Sequence, residues 1–166
     1  LVNLNLPKNL SIKTWEKNHN SVSLNYGPLT FSLKIKENYV NKPSDKSAIF
    51  DSKWQSDVDK DNWPTYEIYP GSPWNYGLIL NDDLNEAFEV VEKQWPKDNF
   101  PFTNESSPIY IKARAKKIES WKIGETKLVG ELMDSPVESN EKVEIIELVP
   151  MGASRLRISS FPVIKN

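Results

Sequence analysis

Two consecutive runs of alternating side chains constrain this chain more than any other feature. From Ser21, the residues Val22, Leu24 and Tyr26 fall on one side and Ser23 and Asn25 on the other. After Gly27-Pro28, the residues Leu29, Phe31, Leu33 and Ile35 alternate with Thr30, Ser32, Lys34 and Lys36. Successive side chains of a strand point to opposite faces, so both runs read as half-buried strands with one wet face. Further strand-like runs cover Tyr76 to Leu80, Ile109 to Ala115, Val143 to Val149 and Arg155 to Ser159, each bounded by Pro, Gly, Asn or Ser. Leu84, Ala87, Phe88 and Val91 suit a short helix capped by Asp82 or Asp83, but Phe88 to Val91 is also a good strand core and Pro96 limits any helix, so strand is the preferred reading. Twelve prolines spread along the chain count against a helical bundle.

The expected fold is therefore all-β: a jelly-roll-like β-sandwich of mainly antiparallel strands with long loops. Closure into a barrel is not readable from alternation. Asn41 to Trp63, rich in Lys, Asp and Ser, reads as a long surface loop or an inserted hairpin, and Trp95 to Pro108 as a second loop. There is no internal repeat and no clean linker, so residues 1–166 read as a single domain. A start at Leu1 without a Met or a signal-like segment suggests a piece excised from a larger multidomain protein.

Composition narrows the function classes. With 166 residues a sizeable core is available, and aromatic residues at 11% supply large apolar surfaces to fill it. The net charge of -2 supplies no positive field to displace counterions from phosphates, which argues against nucleic acid as a partner. The absence of cysteine excludes disulfides, thiolate zinc sites and thiol nucleophiles. No apolar run approaches the length of a membrane span.

No residue pattern commits the chain to catalysis. Asp57, Asp59 and Asp61 begin with the spacing of a calcium loop, but Asn62 stands where that loop needs Gly and Ile68 where it needs Glu. A solvated acidic loop explains them, and no metal or cofactor is expected. Acidic pairs such as Asp82 with Asp83 do not make a glycosidase site, and Glu67, between Tyr66 and Ile68, is the one acid in a visibly apolar setting. His19, the single histidine, lies among Asn and Lys and reads as a loop residue. Lys112, Arg114, Lys116 and Lys117 alternate with Ile111, Ala113 and Ala115 as the wet face of a strand. Asn9-Leu10-Ser11 and Asn104-Glu105-Ser106 match glycosylation acceptors too short to weigh.

The unusual concentration is aromatic: Trp54, Trp63, Tyr66, Tyr69, Trp74 and Tyr76 fall within one stretch. Such rings fill a core or an interdomain interface, or stack on the apolar faces of sugar rings. Within it, Pro73-Trp74-Asn75-Tyr76-Gly77 reads as a structural corner: Pro73 presets φ, Asn75 bonds its own backbone, Gly77 permits close approach and the two rings pack.

The run Tyr66-Glu67 followed by Pro73-Trp74-Asn75-Tyr76-Gly77 resembles a stretch of the β-L-arabinofuranosidase-like glycoside hydrolases. Gly27-Pro28-Leu29, Trp95-Pro96, Pro101-Phe102 and Trp121 agree in order. So do Leu148-Val149-Pro150-Met151-Gly152, Leu156-Arg157-Ile158 and Phe161-Pro162, and the similarity runs from Trp15 to Ile164. It lies in the non-catalytic C-terminal sandwich region that follows a helical-barrel catalytic domain. Relatives use a cysteine nucleophile and a cysteine-rich zinc site, and a chain without Cys supplies neither. The resemblance implies an accessory or structural domain of a secreted bacterial glycoside hydrolase acting on plant or host polysaccharide, extracytoplasmic, with the helical barrel as its partner. The alternative is a carbohydrate-binding module that holds oligo- or polysaccharide on an aromatic platform. Trp54, Trp63, Tyr66, Tyr69, Trp74, Asn75, Tyr76 and Arg157 are the residues expected to meet sugar or the neighbouring domain.

Overall fold

The computed structural model describes residues 2–4, 6–42, 65–125 and 128–165. Among the described residues nine strands carry the fold: β1 Leu10–Trp15, β2 Ser21–Tyr26, β3 Leu29–Leu33, β4 Glu37–Lys42, β5 Thr65–Pro70, β6 Tyr76–Leu78, β7 Phe88–Glu92, β8 Ile109–Lys117 and β9 Glu144–Pro150. A single helical turn, α1 Leu84–Ala87, precedes β7, and a 3₁₀ turn, Met151–Ala153, follows β9. Seven strands form one antiparallel sheet in the order β1-β2-β3-β9-β8, with β6 and β7 successive along the far edge of β8. This sheet curls into a half-barrel, and β4 and β5 form a separate two-stranded ribbon. The all-β, sandwich-like expectation holds, with mainly antiparallel strands.

The core lies inside the curl. Val22 and Leu24 of β2, Phe31 and Leu33 of β3, Ile111, Ala113 and Ala115 of β8 and Leu148 of β9 meet there. Burying a large aliphatic or aromatic side chain contributes about 1.5–3 kcal/mol, so these alternating positions select the register. The segment 158–164 lies across the curl as a tie. The Leu33 N–H donates to the Ile158 carbonyl at 2.8 Å, Phe161 bridges Val22, and Val163 bridges Leu78 of β6. Ile158, Phe161 and Ile164 are thereby placed in the core.

Three expectations need correction. Arg155 to Ser159 is not a strand, although Leu156 and Ile158 turn inward and Arg157 outward as an alternating run would. Its backbone N–H groups are taken by side chains instead of a ladder: those of Arg155 and Leu156 donate to a Glu37 carboxylate oxygen, and that of Ile158 to Ser32 Oγ at 3.0 Å. Secondly, Ser23 and Ser32 do not face water; both are buried, as is Ser21. Their hydroxyls have partners there, with Ser23 accepting from the Trp15 indole and Ser21 bonded to Ser160. Thirdly, the helix and strand readings of 84–91 are each half right. Asp83 caps one turn through the Asn85 N–H at 2.8 Å, after which Phe88 adopts extended backbone and pairs with Ala113.

The stretch read as a loop or inserted hairpin is framed by the β4–β5 ribbon, and its interior lies outside the described residues. Lys112, Arg114 and Lys116 lie on the wet face of β8 as expected, whereas Lys117, one residue further on, falls on the face of Ile111, Ala113 and Ala115 at the strand's end. Lys112 pairs with Glu89 of β7 at 3.0 Å and Lys117 with Glu144 of β9 at 3.2 Å.

Candidate functional site

The segment after the 3₁₀ turn divides two concavities, with Arg157 and Ile158 belonging to both. On one side lies a groove of about 540 Å³ walled by Ile35, Ile68, Ile123, Leu128, Val129 and Leu156, with Tyr69, Pro70 and Trp74. Among the described residues, Glu67 and Arg157 bring charge to it. On the other side lies a cleft of about 430 Å³, whose polar groups are Asn18, His19, Glu131, Arg157, Ser159 and Ser160. Trp74 of the groove and Trp121 of the cleft meet edge to face, with centroids 5.1 Å apart and planes at 71°. A two-indole wall therefore joins the two hollows.

Glu37, outside the groove, holds the 155–156 backbone of one wall. This carboxylate accepts from the N–H groups of Arg155 at 2.8 Å and Leu156 at 3.3 Å and from the Tyr39 hydroxyl at 2.5 Å. Burial works to raise its pKa, but these donors and the Arg155 guanidinium outweigh burial and hold it below the ordinary value. The Arg157 Nε donates to the Ser154 carbonyl at 2.7 Å, which fixes the guanidinium at the rim. Tyr69 donates its hydroxyl to Glu67, and this bond raises the phenol's pKa.

The cleft is held by His19, which lies in the left-handed region at φ 58° in the β1–β2 turn. Its Nδ1 is 2.8 Å from Asp134 and its Nε2 3.3 Å from Glu131. The bond to Asp134, with the nearby carboxylates, raises the imidazole pKa despite opposing desolvation. The expectation of a loop histidine is met, and the residue anchors its turn to the 131–135 segment, where the Ser135 N–H donates to the His19 carbonyl at 2.9 Å.

Of the eight residues singled out in sequence, Tyr69, Trp74 and Arg157 converge on the groove. Tyr66 is exposed on the β4–β5 ribbon and meets Tyr39 edge to face at 6.1 Å. Asn75 and Tyr76 are structural. Asn75 Nδ2 donates to the Ile118 carbonyl at 2.8 Å, and Tyr76, 5% exposed, donates its hydroxyl to Glu144 at 2.8 Å. Burial, then the Glu144 bond, pushes the Tyr76 pKa far up. Trp54 and Trp63 lie outside the described residues, as do Asp57, Asp59 and Asp61.

The corner reading of residues 73–77 holds in one part. A Cβ on Gly77 would lie 2.6 Å from Ile164 Cδ1, so the close approach is real. Asn75 bonds Ile118 rather than its own turn, and Trp74 packs on Trp121 rather than Tyr76.

Sequence reasoning did not single out Ile123, Leu128 and Val129, which wall the groove although they belong to no named strand. It also passed over exposed rings in the Trp95 to Pro108 loop. Trp95, Phe100 and Phe102 are 60%, 50% and 58% exposed, and the two phenyl planes cross at 79° instead of forming a flat row. Among the described residues no group of His, Cys, Asp and Glu is arranged to hold a metal ion, and no helix is long and apolar enough to cross a membrane.

The fold thus defines an all-β, sandwich-like protein with a curled antiparallel sheet and a lateral apolar groove. No protein-family description, curated protein or solved structure matches the chain.

Proposed function

We propose that this chain is a non-catalytic accessory domain of a secreted glycoside hydrolase, and that its groove packs against the catalytic domain of the parent protein. The observation that carries this reading is the groove's lining. Seven aliphatic side chains, Ile158 included, offer nothing to the hydroxyls of a sugar, whereas burying them under another protein surface removes apolar area from water at about 25 cal/mol per Å². Arg157 at the rim supplies a planar, five-donor group suited to a carboxylate or backbone carbonyls of the neighbouring domain. The resemblance of residues 66–77 and 148–162 to the arabinofuranosidase-like hydrolases supports the polysaccharide context.

The test substitutes exposed groove residues. Leu128 is 69% exposed, so Leu128→Glu leaves the isolated chain's melting temperature unchanged. In the parent enzyme the same change, combined with Ile123→Glu, separates one cooperative transition into two and lowers activity. Unchanged melting and activity of the parent overturn the reading.

A second reading, a carbohydrate-binding module, is favoured by the cleft, where Asn18, Glu131, Ser159, Ser160 and Arg157 present donors and acceptors beside Trp121. Tryptophan fluorescence titrated with arabinan, arabinogalactan and pectic oligosaccharides separates the two. A saturable change abolished by Arg157→Ala establishes sugar binding; none at millimolar glycan leaves the docking reading.

A further inference from the structure

The curled sheet brings its two outermost strands toward each other without joining them. Lys8, just before β1, pairs with Glu92 at the end of β7 at 3.3 Å. Between the strands lies a hollow of about 680 Å³, lined on one side by Asn9, Leu10 and Tyr26 and on the other by Leu84, Phe88 and Val90. Among the described residues β1 has a ladder partner only in β2, and β7 only in β8. Each presents a second edge whose backbone donors and acceptors have no strand beside them, the condition under which sheets add a further strand.

The same chain carries a segment suited to that place. The sequence Val2-Asn3-Leu4-Asn5-Leu6 alternates apolar with uncharged polar residues and leads directly into Lys8 and Asn9 at the rim of the hollow. Val2 and Leu4 are 96% and 81% exposed, the two most exposed large apolar side chains among the described residues. Five extended residues span roughly 17 Å, which matches the five residues of β7. The charged groups near the hollow, Lys8, Asp83, Glu89 and Glu92, belong to its rim, so an uncharged insert meets no like charge.

We propose that two copies of this chain exchange these segments, each laying Val2 to Leu6 as an added strand in the hollow between β1 and β7 of the other. Val2, Leu4 and Leu6 face Leu10, Leu84 and Phe88, and Asn3 faces water. Because each segment leaves from the rim of the hollow that receives its counterpart, the exchange is reciprocal and closes as a two-fold dimer. It does not depend on what occupies the apolar groove.

Light scattering and sedimentation of the chain, from micromolar to near-millimolar, test this together with Leu4→Asp and with a chain lacking its first six residues. The expected result is a concentration-dependent dimer whose dissociation constant rises about tenfold or more in Leu4→Asp, the factor that burial of one leucine implies. The shortened chain is monomeric at every concentration. Both variants keep the parent circular dichroism spectrum, since Val2, Asn3, Leu4 and Leu6 are solvent-exposed in the monomer. Hydrogen exchange places the contact: amides of β1 and β7 gain protection in the dimer and lose it in the shortened chain, and a synthetic peptide of the six residues restores it. A monomer throughout the range overturns the proposal. So does a dimer that survives the deletion, or protection that appears away from β1 and β7.

Discussion

Asn104 and His19 show how much a single polar residue organises in this chain. Asn104 is buried, donates its amide to the Ile35 carbonyl at 3.0 Å and accepts from the Ser154 hydroxyl at 2.6 Å, so one side chain joins a loop, the end of the β3 run and the segment behind the groove. In sequence it stands in a loop with an acceptor motif, and no periodicity marks it as interior. The buried serines were illegible for the same reason: alternation reports which face a side chain takes, and a hydroxyl with a partner can occupy either face. His19 was legible as a loop residue, but its carboxylate partners lie over a hundred residues away in sequence. Its raised pKa has a definite sign. The stabilisation is fully present below the ordinary value of 6.5 and is lost as pH rises through the raised folded value. The chain is therefore expected to melt at a higher temperature near about pH 6 than near about pH 8, and His19→Gln removes the part of that difference that tracks the imidazole titration in proton NMR. Glu131, Asp134 and Arg157 are the charged groups that face it from the cleft.

At the scale of elements, the strands with one strongly apolar face were readable from their pattern, and β2, β3, β8 and β9 lie within a few residues of expectation. β1 carried the same signal in Leu10 and Ile12 against Ser11 and Lys13, only weaker, because most of its residues are exposed at the edge of the sheet. The segment 155–159 misled because side-chain alternation does not reveal whether the backbone has a ladder. Here Glu37 and Ser32 stand in for one. The groove was legible in Tyr69, Trp74 and Arg157, whose types fit a binding surface, but not in its aliphatic walls, which look like any apolar residues between turns. Glu37 gives this element its own prediction. Glu37→Ala removes the acceptor for two backbone donors and one hydroxyl and is expected to cost about 1–3 kcal/mol in urea unfolding. Amide exchange at Arg155 and Leu156 accelerates. Since the folded pKa lies below the ordinary 4.5, this stabilisation is present above that value and fades as pH falls through the lowered one. An unchanged exchange rate at Arg155 would show that the segment is held by something else.

For the molecule as a whole, one contiguous core links the curl to the tie laid across it. Phe161 is fully buried and pairs backbone to backbone with Val22, so Phe161→Ala is expected to cost about 3–5 kcal/mol and to lower the thermal midpoint of a single transition. Two separate transitions in the parent chain would contradict a shared core. Antiparallel strands were within reach of the sequence, but neither the curl nor the tie was: alternation does not report closure, and the tie's contacts are isolated bridges with no run long enough to leave a pattern.

That tie also sets an order of events during synthesis. Val22 emerges from the ribosome first, and its partner Phe161 follows only after 138 intervening residues. Until then Leu24, Phe31 and Leu148 lack the cover that closes their side of the core. At roughly 5–20 residues per second the nascent chain therefore spends about 7–28 s with apolar strand surface open to other proteins. Contacts this distant in sequence also slow the final closure. Holding chaperones have their window here, and a chain cut short before Ile164 would leave them still bound.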